Sequence, residues 1–103
     1  CVINVARDFS EEPIGRYPVD SPFCGQNFRD NILVPALSEY ATVTVVLDGA
    51  EGYGSSFLEE GFGGLVRKSG FDAQELENRL VLVSDDDNSL ISEIRQYIAS
   101  ARG

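Results

Sequence analysis

The sequence predicts a single α/β domain, a mixed β-sheet packed against helices in the rough order β-β-α-β-α-β-α. Three observations carry that prediction. Two apolar runs, Thr42 to Leu47 and Leu80 to Val83, are dense in valine and leucine, as interior strands are. The stretches beside them place apolar residues at helical spacing instead. Finally, 103 residues without a repeat, linker or low-complexity stretch make one domain, 1–103.

Taken in order, Val2-Ile3-Asn4-Val5-Ala6-Arg7 is rich in β-branched residues and reads as a strand. Glu12 to Tyr17 follows as a second strand or the return arm of a hairpin, ending in the Pro/Ser-rich turn Pro18 to Gly25. From Gln26, the residues Phe28, Ile32, Leu33, Ala36, Leu37 and Tyr40 keep helical spacing, and Pro35 inside that pattern predicts a break. Thr42 to Leu47 is the clearest strand, apolar enough to be covered on both faces. Asp48 and a glycine-rich turn, Gly49 to Gly54, deliver the chain into a second helix with Phe57, Leu58, Gly61, Phe62, Leu65 and Val66 on one face. Ser56 with Glu59 fits a capping box there, and Gly70 fits its stop. Asp72 with Glu75 opens a short helix through Glu77. Leu80 to Val83 is the last strand. Asp85 to Asn88 then begin a final helix with Leu90, Ile91, Ile94, Ile98 and Ala101 inward.

Charge narrows the chemistry. Seventeen acidic residues against eight basic ones give a net charge of −9, with no histidine. That balance argues against nucleic acid and against an anionic membrane surface. The missing histidine removes the commonest general base and zinc ligand. Cys1 and Cys24 make no disulfide framework, so Cys24 is expected as a free thiol in a reducing cytoplasm. No apolar stretch approaches the ~20 residues of a membrane span, and no signal peptide is visible. The chain begins without Met, and the expectation is that it was cut from something larger or lacks leading residues.

The segment from Leu47 to Leu58 has the most chemical potential. It is a strand, a tight turn and a helix start, where unpaired N–H groups attract anions. Ser55 and Ser56 bring two hydroxyls to that point, and Gly61, Gly63 and Gly64 inside the helix imply close backbone packing against the sheet or a partner. Three readings stay open: a capped turn, a phosphate cradle, or a phosphorylation switch. A P-loop is excluded, because no G-x-x-x-x-G-K-[ST] is present.

Asp48 to Leu65 resembles the strand–turn–helix of STAS domains, the anti-anti-sigma-factor fold, in which a phosphorylatable serine opens a helix. Gly25 to Arg29, Val34 to Leu37 and Tyr53 to Leu65, with the pair Gly15-Arg16, resemble more closely a bacterial STAS-like family of unknown function. The resemblance covers residues 10–100. It implies a STAS-like sheet-and-helix fold and a regulatory partnership with a histidine-kinase-like ATPase. By position it gives Ser55 the place of the phosphorylated serine. Gly54 stands where those factors have Asp, and Phe57 where they have Gly.

Other residues are weighed beside it. Arg16 and Arg29 flank one loop region and could grip a phosphate or carboxylate, although surface ion pairing is the plainer expectation. Glu59 and Glu60 read as a solvated face, available with Gly54 for partner or ligand contact. Asp48 and Asp85 are weak Mg²⁺ candidates, since carboxylates at strand ends can hold that ion; the plainer role of the Asp85–Asp87 run is to complement the last helix's dipole. No nucleophile–base pair is present. The expectation is therefore a non-enzymatic, cytoplasmic interaction domain without a cofactor, recognised by a protein partner. The alternative is a small-ligand or nucleotide-binding domain using the helix start at Gly54 to Ser56.

Overall fold

Valine-rich segments form the sheet and leucine- and phenylalanine-bearing segments cover it. The computed structural model describes residues 1–101. Its elements are β1 (Val2–Asn4), α1 (Val5–Asp8), α2 (25–39), β2 (Val43–Val46), α3 (55–67), α4 (Ala73–Arg79), β3 (Leu80–Val83) and α5 (Ser89–Ser100). The α/β class is as expected.

All three strands are parallel in the order β1-β2-β3, with Val2 opposite Thr44 and Val43 opposite Leu80. The sheet is therefore not mixed, because the second strand expected at Glu12 to Tyr17 does not form. Pro13 and Pro18 have no N–H to give to a ladder. The amides of Arg16 and Tyr17 donate to the Asp20 carboxylate at 3.0 and 3.1 Å. The segment still folds back on itself, with Ile14 N–H on Phe23 O at 3.0 Å and Gly25 N–H on Gly15 O at 2.9 Å. The opening strand is also shorter than expected, because Asn4 caps α1 by accepting from Arg7 N–H at 3.0 Å.

Parallel neighbours need crossovers, and two successive crossovers of one hand put their helices on one face of the sheet. Burial follows that rule. Ile3, Val43, Val45, Leu80 and Leu82 are buried on the covered face. On the other face Val2 and Val81 are 60% and 42% exposed and Thr44 and Val46 of β2 are half-buried, so β2 is not fully covered on both faces as expected. Phe28, Phe57, Phe62, Leu65, Leu76, Ile94 and Ile98 complete one apolar cluster against the covered face. Each fully buried side chain of this kind contributes about 1.5–3 kcal/mol.

Pro35 does not break α2. The α-helical turns Gly25–Phe28 and Val34–Glu39 flank a π-helical stretch, Arg29–Leu33, in which Val34 N–H reaches back five residues to Arg29 O. A widened turn ahead of the proline accommodates its missing N–H and its ring. α3 carries the same device at Glu59–Gly63, between Ser55–Leu58 and Gly64–Arg67. α4 extends beyond the expected Glu77 to Arg79 and is capped by Asp72, which accepts from Gln74 N–H at 2.8 Å. α5 begins at Ser89 rather than within the aspartate run.

Candidate functional site

Two charged regions flank the start of α3. The first is an ion cluster built from α2, α3 and the loop at Arg16. Glu60 is fully buried and Arg29 is 3% exposed, so neither is the solvated or surface group expected from sequence. Glu60 Oε2 lies 2.6 Å from Arg29 Nη1 and 3.0 Å from Lys68 Nζ. Its Oε1 lies 3.2 Å from Arg16 Nη1 and 3.4 Å from Arg67 Nη2. Glu59 bridges the outer arginines, accepting from Arg67 Nη1 at 2.5 Å and from Arg16 Nη1. Arg29 also donates to Glu60 O at 2.8 Å and to Asp30 at 3.0 Å.

Burial alone would raise the Glu60 carboxyl, but hydrogen bonds from Arg29, Lys68 and Arg16 outweigh it and hold it at about 2. Glu59 is lowered chiefly by the Arg67 hydrogen bond. Two glycines make the arrangement fit. A Cβ on Gly64 would collide with Arg29 Nη1, and one on Gly25 would sit 2.6 Å from Phe57 O. Gly61 and Gly63 face α2 and α5, so these glycines do not serve packing on the sheet.

Sequence reasoning named Arg16, Arg29, Glu59 and Glu60, and the fold brings all four together. It missed Arg67 and Lys68. The available signal was the concentration of Gly25, Gly61, Gly63 and Gly64, which marks the close approach of α2 and α3.

The second region is the glycine-rich turn at the carboxyl ends of β2 and β3. Gly54, not Ser56, occupies the N-cap of α3, and no side chain caps the helix. The Ser56–Glu59 capping box therefore does not form, because Glu59 is held by Arg16 and Arg67. Ser55 and Ser56 are exposed. Tyr53 donates its hydroxyl to Leu47 O at 2.8 Å, and burial, then the Asp48 charge, pushes its pKa up. Glu51 N–H bonds Glu11 O at 2.8 Å and ties the turn to the loop after α1.

Asp48 accepts from Asp85 N–H at 2.9 Å and Asp86 N–H at 2.8 Å, and those bonds lower its pKa, Asp85 first. The weak metal candidates Asp48 and Asp85 thus form a turn clamp. Among the described residues no group of three or more His, Cys, Asp or Glu could hold a metal ion. Asp87 accepts from Ser89 N–H at 3.0 Å, as expected for residues serving the start of α5. Cys1 and Cys24 are both free thiols, Cys24 buried.

Two clefts open beside this turn. One, of about 350 Å³, is lined by Glu12, Pro13, Ile14, Glu51 and Gly52. The other, of about 220 Å³, takes in Leu47, Tyr53, Asp86, Asp87 and Leu90 and shares Glu51 and Gly52 with the first. Neither includes Ser55, Ser56 or any basic side chain.

Three parallel strands covered by helices make a small α/β domain, consistent with a STAS-like fold. The chain belongs to the family described as STAS-like domain of unknown function (DUF4325), which matches residues 24–90. Comparisons with curated proteins and with solved structures gave no match. No helix among the described residues is long and apolar enough to cross a membrane.

Proposed function

We propose that this STAS-like domain is a non-enzymatic regulatory module of the cytoplasm, recognised by a protein partner and switched by phosphorylation of Ser55, with Ser56 the secondary target. The observation that carries the reading is the uncapped start of α3. Gly54 holds the cap position, leaving two adjacent exposed serines beside the partial positive charge of a helix start. A phosphate added there meets a favourable dipole and changes the outer surface without disturbing the core. A histidine-kinase-like ATPase is the partner class that the STAS resemblance suggests.

The alternative, a nucleotide or other anionic ligand at Gly54 to Ser56, draws less support. Arg16 and Arg29, its candidate anchors, are engaged with Glu59 and Glu60. The adjoining clefts carry carboxylates, which repel phosphate.

The test is incubation of the domain with histidine-kinase-like ATPases from the same genome and ATP, followed by phosphosite mapping by mass spectrometry and complex detection by gel filtration. Phosphate on Ser55, lost in Ser55→Ala, is the expected result. Absence of both phosphoserine and a stable complex would overturn the reading.

A further inference from the structure

We infer that the paired clefts at Glu51-Gly52 are a docking surface for a segment of a partner protein that carries an arginine or lysine beside an apolar side chain. The chain's own cations are engaged elsewhere. Arg7 pairs with Asp8; Arg16, Arg29, Arg67 and Lys68 enter the ion cluster. Arg79 donates to Ala41 O and Arg95 to Leu80 O. Among the described residues, none of these seven reaches Glu12, Glu51, Asp86 or Asp87 as a salt bridge. Among the described residues, the chain supplies no cation to these clefts, so a cation brought by a partner would complement them.

The floor sets the second half of the chemistry. Pro13 and Ile14 line the larger cleft, and Ile14 is 61% exposed, a large apolar side chain left uncovered. Leu47, Tyr53 and Leu90 line the smaller one. Glu51 and Gly52 belong to both clefts, so one extended segment can lie across the ridge between them. An aliphatic stem of Arg or Lys fits such a floor while its cationic head meets the rim carboxylates. The backbone bond from Glu51 N–H to Glu11 O joins the two walls of the larger cleft, so the surface is formed before a partner arrives. The proposal stands whether or not Ser55 is phosphorylated.

The experiment is an amide-shift titration of the isotopically labelled domain with three probes. These are a blocked peptide of alternating leucine and arginine, its glutamate-for-arginine twin, and methylguanidinium. The arginine peptide is expected to shift Glu12, Ile14, Glu51, Gly52 and Leu90, with an affinity that falls as salt rises. The double variant Glu12→Gln/Glu51→Gln, confirmed folded by circular dichroism, is expected to bind it about fivefold more weakly or worse. Equal effects of the two peptides, no shifts at millimolar peptide, shifts confined to other surfaces, or unchanged affinity in the variant would each overturn the docking surface. Methylguanidinium binding as tightly as the peptide would also overturn it, by making the clefts a small-cation site.

Discussion

The two charged regions flanking the start of α3 are opposites. On one side, Glu60 is buried and every charge around it has a partner within the chain. On the other, Glu12 and Glu51 line an open cleft with no salt-bridge partner among the described residues. Buried ions must be satisfied internally, because water is not there to do it. Exposed ones need not be, because water solvates them. This acidic chain thus collects four of its eight basic residues to hold two helices together and leaves the clefts beside them anionic.

The sharpest way to break that contrast is to remove the buried anion. Glu60→Ala is expected to lose about 3–5 kcal/mol, read as a lower urea midpoint, because it removes the buried carboxylate shared by Arg29, Lys68, Arg16 and Arg67. Acid offers the same test without a mutation. The Glu60 carboxyl falls from its ordinary 4.5 to about 2 on folding, so its contribution is complete above the unfolded value and lost as pH drops from 4.5 towards 2. A loss of order 3 kcal/mol from this group is expected across that window in equilibrium unfolding, and Glu60→Ala should remove that share, leaving the dependence carried by the other lowered carboxyls such as Glu59 and Asp48.

Gly64→Ala presses on the same cluster from its other side, where the added methyl meets Arg29. It is expected to cost about 1–3 kcal/mol and to be non-additive with Glu60→Ala in a double-mutant cycle.

Changes on the open side should barely register as stability. Glu12→Gln/Glu51→Gln is expected to stay within about 0.5 kcal/mol of the parent by urea unfolding, since neither carboxylate holds the fold together. Ser55→Ala and Ser56→Ala should also stay within about 0.5 kcal/mol; a loss near 1 kcal/mol would mean that a serine caps α3 after all.

Local pattern was enough to read much of the fold. The valines of β2 and the Leu80–Val83 run declared themselves, as did the Asp72 cap and the inward residues of α5, because each signal lies within a few residues of its effect. Glu12 to Tyr17 misled because its β-branched and aromatic residues sit among prolines, with Asp20 taking the amides that a strand would need. The burial of Glu60 was hidden for a different reason. Its partner Arg29 lies on another helix, 31 residues away in sequence. In its own neighbourhood, Glu60 looks like any glutamate on a helix. Arg16, Arg29, Glu59 and Glu60 stood out as charged residues near the start of α3, but their mutual pairing did not. The clefts depend on loops meeting at Glu11 and Glu51, and no periodicity announces that.

The all-parallel sheet has a kinetic consequence. Its pairings join Val2 to Thr44 and Val43 to Leu80, roughly forty residues apart each time, so no strand pair can form by a local hairpin. Closing such loops costs entropy before any ladder bond is gained. Refolding should therefore be slow for a domain of this size. Stopped-flow refolding would show this as a rate well below that of a helical bundle of equal length.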